Sequence, residues 1–425
     1  MFKLHIIIIV VCLLPGINVR AQEPLYLDLP TCYKKAEQQF RLADQQTWVD
    51  HLLQESVGKV QAAWQPQVAL NAQATYQSDV AGIPIESPLF DLPTVPKDQY
   101  RANIDVSQLI YDGGLIHQQK SIQELQAAVE MARTESNFFP IYQQIDQLFC
   151  NVLLARDQQL LIQNLIKDLE NKTAQLQTAL QFGTATNLAV RTLEAESLKA
   201  SQRMEEAKFA EQGALSMLSA LTGISLDENI VLLLPPALTV TQSDSLQRPE
   251  LQVFNQQLAV LEAQADFASA INMPKVSAFV QGGYGNPGLN FLLDEFDTYY
   301  MVGIRLNYPL WSGGTHAHEA EMYRINHQVI EQQKHNFITG THVQAAQYLN
   351  EIAKLESVLH IDNELIEAQE AILQIAALSL ENGTSTAADY SRDANAALQA
   401  KLNKQLHSTQ LRYAQLQYQK TLGIK

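Results

Sequence analysis

The sequence is written twice. Slid 200 residues along itself, its punctuation falls into step. Asp112-Gly113-Gly114 meets Ser312-Gly313-Gly314, and Tyr111 meets Trp311. Gly183-Thr184-Ala185-Thr186 meets Gly383-Thr384-Ser385-Thr386, Gly223-Ile224 meets Gly423-Ile424, and the helix breaker Pro140 meets Gly340. Upstream the interval becomes 208, where Pro66-Gln67-Val68 meets Pro274-Lys275-Val276 and Tyr76 meets Tyr284. The extra eight residues mark a longer loop in one copy. An internal duplication of this kind restricts the chain to two similar units that must pack together or form one array. Each copy reads as helix, strand, loop, strand, long helix, turn, helix. The boundaries are residues 22–223 for the first repeat, 224–247 for a linker containing Pro235-Pro236, and 248–425 for the second.

The strands alternate with period two. Val68, Leu70, Ala72, Ala74 and Tyr76 share one face, with Asn71, Gln73 and Thr75 on the other. Tyr100, Ala102, Ile104 and Val106 oppose Arg101, Asn103, Asp105 and Ser107. Val276, Ala278 and Val280 oppose Lys275, Ser277 and Gln281, and the run Tyr300 to Tyr308 alternates likewise. A tilted barrel strand of about ten residues crosses a bilayer, and tyrosines near strand ends suit its two interfaces. A soluble sheet with one wet face has the same alternation. Four strands cannot close a membrane barrel alone, since the smallest have about eight. A barrel built from this chain therefore needs several copies.

The helical signal is larger. Leu115 to Phe182 contains one proline, Pro140, and no glycine. At about 1.5 Å per residue it reaches roughly 100 Å. Ile141, Ile145, Leu148, Val152, Ile162, Ile166 and Leu169 form a coiled-coil-like stripe, and Pro140 should kink the helix. The other faces draw on the chain's 48 glutamines. So long a helix cannot bury itself in a compact domain. Shorter helices, Asn187 to Leu221 and Ala387 to Leu422, return from the two turns. Glu250 to Asn272, opened by Arg248-Pro249, is expected to complete the first return, and Leu29 to Trp64 the second.

Met1 to Ala21 reads as a secretory signal: Lys3, the apolar run Ile6 to Leu14, then small residues. No later run is long enough for a transmembrane helix. The chain is acidic, with 29 Lys+Arg against 45 Asp+Glu. Nucleic acid is not an expected partner, because phosphate binding needs clustered cations. Three cysteines (Cys12, Cys32, Cys150) make no disulfide framework and no CxxC zinc site. Cys32 and Cys150 are expected to be unpaired and buried. No cofactor and no catalytic motif (GxSxG, Walker A, HExxH) is expected. His316-Ala317-His318-Glu319, with Glu321 and His327, is the one metal-like cluster. His316 and His318 point about 200° apart on a helix, which suits a solvated helix start.

Arg248-Pro249-Glu250-Leu251, Met273-Pro274-Lys275-Val276, Tyr308-Pro309-Leu310-Trp311-Ser312-Gly313-Gly314 and Gly383-Thr384 followed by Asp389 resemble the TolC-like outer-membrane efflux protein family. The first copy carries weaker versions, and Ala189 stands where Asp389 has its counterpart. The resemblance implies a mainly α chain with a small β part. It implies a homotrimer whose shared outer-membrane barrel, with four strands per chain, continues into a helical periplasmic tunnel. It also implies a periplasmic adaptor and an inner-membrane pump as partners, with outer-membrane lipid around the barrel. The chain would be the exit duct of a tripartite efflux or type I secretion system. The competing reading is a structural or adhesive coiled-coil protein of the envelope.

Two sets of residues follow as candidates. Gly183, Thr184, Gly383 and Thr384 lie at turns about 100 Å from the strands and form the far end, where glycine either admits an adaptor hairpin or caps a helix. Asp389 and Asp393 share a helix face. With Arg392 and Arg191 they are the candidate pore constriction, either a carboxylate ring that selects cations or a solvated surface. The loops Asp79 to Asp98 and Gly285 to Asp297 are expected outside the cell, because long barrel loops face outward.

Overall fold

The computed structural model describes residues 26–80, 95–233, 245–290 and 293–424. The predicted signal (1–21), most of the proline-rich first loop with Ser87, and Pro235-Pro236 lie outside the described residues. The elements run β1 (Tyr26–Asp28), α1 (Leu29–Gln39), α2 (Leu42–Gln61), β2 (Gln67–Tyr76), β3 (Asp98–Tyr111), α3 (Leu115–Gln181) and α4 (Asn187–Thr222). Then come β4 (Val231–Leu233), α5 (Pro249–Ala270), β5 (Lys275–Asn286), β6 (Asp297–Asn307), α6 (Thr315–Glu381) and α7 (Ala387–Leu422). The 200-residue interval is reproduced to the residue. The long helices α3 and α6 both have 67 residues, and the return helices α4 and α7 both have 36.

The start and stop signals explain this identity. Gly114 and Gly314 open the long helices in the left-handed region, at φ 89° and 83°. Thr186 and Thr386 cap the return helices by accepting from the amides of Ala189 and Asp389. Gly223 and Gly423 end them, again at positive φ. Pro140 sits inside α3, which continues through it. The stripe read from sequence is the packed face: Ile145, Leu148, Val152, Ile162 and Leu169 are buried, and Ile141 and Ile166 pack against the same clusters.

The sheet has the order β2-β3-β5-β6, antiparallel throughout, and β3 beside β5 joins the repeats. Register places Leu70 beside Ile104, Ile104 beside Gly282, Val106 beside Val280, and Val280 beside Val302. This makes one apolar face, and it is uncovered: Leu70 is 74% and Ile304 73% exposed. The opposite face is polar. There Asp105 accepts from Asn71 and Asn103, both at 2.7 Å, and Arg305 lies 5.0 Å over the Phe279 ring. Aromatic side chains stand at both margins of the apolar band. Phe296 stacks on Tyr284 and Tyr100 at the loop end, and Tyr111, Tyr308 and Trp311 are exposed at the helix end. Ten residues at about 3.3 Å, tilted near 40°, span about 25 Å, the height of a barrel's apolar band. An uncovered apolar face flanked by aromatic side chains is the surface that a membrane-barrel sheet presents. Ile104→Arg, mid-band, should cost about 2–4 kcal/mol per chain and reduce membrane insertion, whereas Gln281→Arg on the polar face beside Asp105 should insert normally. Equal insertion of the two variants in a membrane-fractionation assay would remove the lipid-facing assignment.

Two expectations about the returns are corrected. The segment Leu29 to Trp64 is not one helix. It breaks at Phe40-Arg41, with Arg41 at φ 51°, where Phe40 turns to pack edge-on against Phe138 at 5.7 Å. The pairing of the returns is also exchanged. α2 lies on the barrel-side half of α3, and α4 on its far half, so Leu29 to Trp64 completes the first return. α5 sits end-on over α7: the Gln247 amide donates to Leu422 O at 2.7 Å, and Arg248 Nη1 to Lys420 O at 3.2 Å. The helices near the barrel therefore run α2-α3-α5-α6, in the order of the strands they join, and toward the far end α4-α3-α7-α6.

A core at the level of Pro140 binds these pieces. Phe139, Tyr142 and Phe149 of α3, Leu218 of α4, Cys32 and Tyr33 of α1, and Leu27 of β1, which pairs with β4, are buried together. Cys32 and Cys150 are free thiols in this core, and burial pushes both up to about 12. Asp146, fully buried, accepts from the Tyr33 hydroxyl, and desolvation pushes its carboxyl up to about 6. Lys420, also buried, lies 4.4 Å over the Tyr33 ring.

Candidate functional site

The end of the helices farthest from the sheet consists of two turns built alike. At each, α3 or α6 stops and glycine follows at φ 70°. Thr184 donates twice to Ala179 O, from its amide at 2.9 Å and its hydroxyl at 3.0 Å. Thr384 does the same to Ser379 O, at 2.9 and 3.1 Å. These bonds satisfy carbonyls that a helix end leaves open. Gly183, Thr184, Gly383 and Thr384 thus all serve as caps, and a Cβ at either glycine would meet open space. Between the turns lies a groove of about 450 Å³, lined by Leu176, Thr184, Leu380, Asn382 and Gly383 among others.

The four charged candidates stand on the return helices just past the turns, and their described partners lie along their own helices. Asp389 closes a reciprocal capping box: its Oδ2 accepts from the Thr386 hydroxyl at 2.7 Å while its amide donates to Thr386 Oγ1 at 3.1 Å. The Thr386 bonds, with a smaller contribution from Arg392, hold the Asp389 carboxyl below the usual carboxylate range. Arg392 reaches Asp393 Oδ1 at 3.1 Å and Asp389 Oδ1 at 3.2 Å, which raises its pKa. Arg191 pairs with Glu194 at 2.8 Å. The first copy keeps half the box, since Thr186 accepts from the Ala189 amide and Ala189 has nothing to return.

Sequence reasoning missed the residues that tie the two repeats together here. The buried Tyr390 of α7 donates its hydroxyl to Asp168 of α3. Burial, then the Asp168 carboxylate, raises the Tyr390 pKa, so the hydroxyl stays a donor. One helical turn along α3, Lys172 pairs with Glu381 of α6 at 2.6 Å. Asn395 of α7 donates to Glu196 of α4 at 3.1 Å and accepts from Arg203 at 3.2 Å. The helix spacing of 168 and 172 was the available signal: two opposite charges on one face, four apart. Of the metal-like cluster, His316 pairs with Glu319 at 3.2 Å, Glu321 with Arg324, and His327 with Glu262 at 3.5 Å.

Residues 241–423 match the outer membrane efflux protein family. No curated protein sequence matches the chain. Among solved structures, the fold is similar to that of CusC, whose structures concern folding and transmembrane channel formation, with TM-score 0.69 at 14% identity over 93% of this chain and 92% of that one. It is similar to VceC, an outer membrane protein of Vibrio cholerae, with TM-score 0.67 at 15% identity over 93% and 96%. It is similar to the MtrE outer membrane channel of Neisseria gonorrhoeae in its open state, with TM-score 0.65 at 14% identity over 93% and 89%. At such identities the likeness is one of fold, extending over both repeats, while the family's sequence pattern lies in the second. With an uncovered apolar sheet at one end and a helical wall at the other, the chain has the fold of these outer-membrane channels, and its second repeat carries the sequence pattern of the outer membrane efflux protein family.

Proposed function

We propose that three copies of this chain form a passive exit duct across the outer membrane of a Gram-negative bacterium. The strands make the pore and the helices a periplasmic tunnel. The observation that carries the reading is that both edges of the protomer are unfinished. Among the described residues β2 and β6 each have one partner, leaving a ladder of open backbone groups on either side. The helical edges carry exposed apolar stripes: Leu198 and Phe209 on α4; Ile361, Leu365, Ile372 and Ile375 on α6. Unlike edges that complement each other make head-to-tail contacts, and these close into a ring. Three protomers bring twelve strands, enough for a barrel where four are not.

In the ring, the turns at Gly183 and Gly383 form the periplasmic mouth, and a periplasmic adaptor joins them to an inner-membrane pump. The α3 clasp to Tyr390 and Glu381 holds each mouth segment inward. Asp389 and Asp393, repeated three times around the axis, would bias traffic toward cations. No catalytic group is needed, since the pump supplies the energy. Crosslinking in detergent tests the assembly: trimers are expected, and loss of them when Ile372 and Ile375 are both changed to Glu. A parent protein that stays monomeric with folded helices would overturn the reading.

A further inference from the structure

Register sorts the charged residues of β2, β3, β5 and β6 by face. Only Asp98 has the parity of the apolar face, at the loop margin where it pairs with Tyr76. Arg101, Asp105, Lys275, Asp297 and Arg305 all stand on the polar face. That face therefore holds three cations against two carboxylates, on a chain whose formal charge is −16. The charges are unevenly spread along the strands. Near the loops, Arg101 and Asp297 flank Gly285 on one rung, about 10 Å apart, so they offset each other. At mid-height Asp105 is held by two neutral amides, those of Asn71 and Asn103, and keeps its charge. At the helix end Arg305 pairs in register with Ser277, and Lys275 follows two residues on. Among the described residues no carboxylate pairs with either cation. The wall itself positions Arg305. Gly303 lets the Phe279 ring lie across it, since a Cβ there would stand 2.9 Å from the ring. The Arg305 guanidinium rests 5.0 Å over that ring, a cation held on an aromatic platform.

We propose that Lys275 and Arg305 determine which solutes pass: in the ring they form a collar of six cations at the base of the barrel, and this collar favours anions. The proposal rests on the reading that three copies close with the polar sheet face inward. A twelve-stranded barrel, with strands about 4.8 Å apart and tilted by about 40°, has a backbone radius of about 12 Å. Side chains reaching inward bring the cations within about 10 Å of the axis, the Debye length at 0.1 M salt. Every ion crossing this level feels them, and a ring of cationic side chains selects anions. Asp105 lies four residues nearer the loops and repels the same ions, so an anion is held at the collar rather than along the whole barrel. The solutes this serves carry a carboxylate, phosphate or sulfate group.

The test measures reversal potentials of the whole trimer in planar bilayers across a KCl gradient, at mean salt of about 0.1 M and about 1 M. Lys275→Gln with Arg305→Gln should lower the chloride-to-potassium permeability ratio severalfold at the lower salt. It should change little at the higher salt, where the Debye length is about 3 Å. Arg305→Lys keeps the charge without the planar stacking, and should retain the parent's ratio. Asp105→Asn should shift the ratio the other way. A double variant with the parent's ratio at low salt would overturn the proposal. So would a shift that persists at high salt, which marks a change of pore shape rather than of field. A second readout is chemical. Arg305→Cys adds a thiol to a chain whose described cysteines are buried. With Lys275 retained, an anionic methanethiosulfonate should modify that thiol severalfold faster than a cationic one, and the reverse order would overturn the collar. If neither trimer nor channel forms, the exit-duct reading fails and the collar with it. A conducting trimer whose selectivity ignores these exchanges keeps the duct and removes the collar.

Discussion

Tyr390→Phe combined with Lys172→Ala should leave the mouth standing open. The first change removes a charge-assisted hydrogen bond on a buried ring, worth about 2 kcal/mol. The second removes an ion pair whose Glu381 side is half exposed, worth up to about 1 kcal/mol. Together they shift the balance between clasped and released helices by about a hundredfold per protomer, repeated three times around the ring. In planar bilayers the resting conductance should rise severalfold, while the protomer stays folded because phenylalanine keeps the Tyr390 ring in the cluster with Leu193, Leu380 and Leu398. Asp389→Ala in that open background should lower cation preference without changing conductance greatly. A double variant that conducts like its parent would show that the narrow point lies elsewhere in the tunnel.

Arg248→Ala should be the most damaging single change outside the sheet. The guanidinium pairs with Glu250, covers the Phe139 ring at 4.3 Å and that of Phe337 at 5.7 Å, and donates to Lys420 O at the end of α7. It thereby joins α3, α5, α6 and α7 at the level of Pro140 and Gly340. Its removal leaves the largely covered Glu250 carboxylate without its cation, and should cost about 3 kcal/mol per protomer. Arg248→Lys keeps the charge but not the planar fork, and should fall between. Thermal unfolding of the detergent-solubilised trimer checks both. An Arg248→Ala midpoint equal to the parent's would mean that the apolar core holds the junction by itself.

This residue shows what a sequence can and cannot disclose. Arg248-Pro249 was legible as a helix start, and the two-copy interval placed every long helix, because glycine and threonine caps write helix ends into the chain locally. The four strands were legible for the same kind of reason: alternation is a local pattern. What Arg248 reaches was not legible, since end-on stacking of α5 over α7 leaves no periodic trace, and the returns were assigned to the wrong partners. Tyr390 and Asp168 lie 222 positions apart, and neither is unusual in its own neighbourhood. Asp389 stood out as a carboxylate at a pore mouth, yet the spacing Thr386 to Asp389 already described a capping box. Its place in the fold is explained by that box, and its place in conduction by the proposed ring.

The end-on seat of α5 also orders events in time. Gln247 and Arg248 emerge from the ribosome long before their partners, Lys420 and Leu422. Gly423 fits only because it lacks a side chain, since a Cβ would lie 2.3 Å from the Gln247 carbonyl carbon. Gln417, Lys420, Thr421 and Leu422 are all buried. The middle of the molecule therefore stays unsealed until residues 420–423 are made. A chain interrupted before residue 420 would keep an apolar wound at its waist, visible to periplasmic chaperones and proteases. A chain that has reached residue 423 can close this junction and hide the core beneath it; one stopped short of residue 420 cannot.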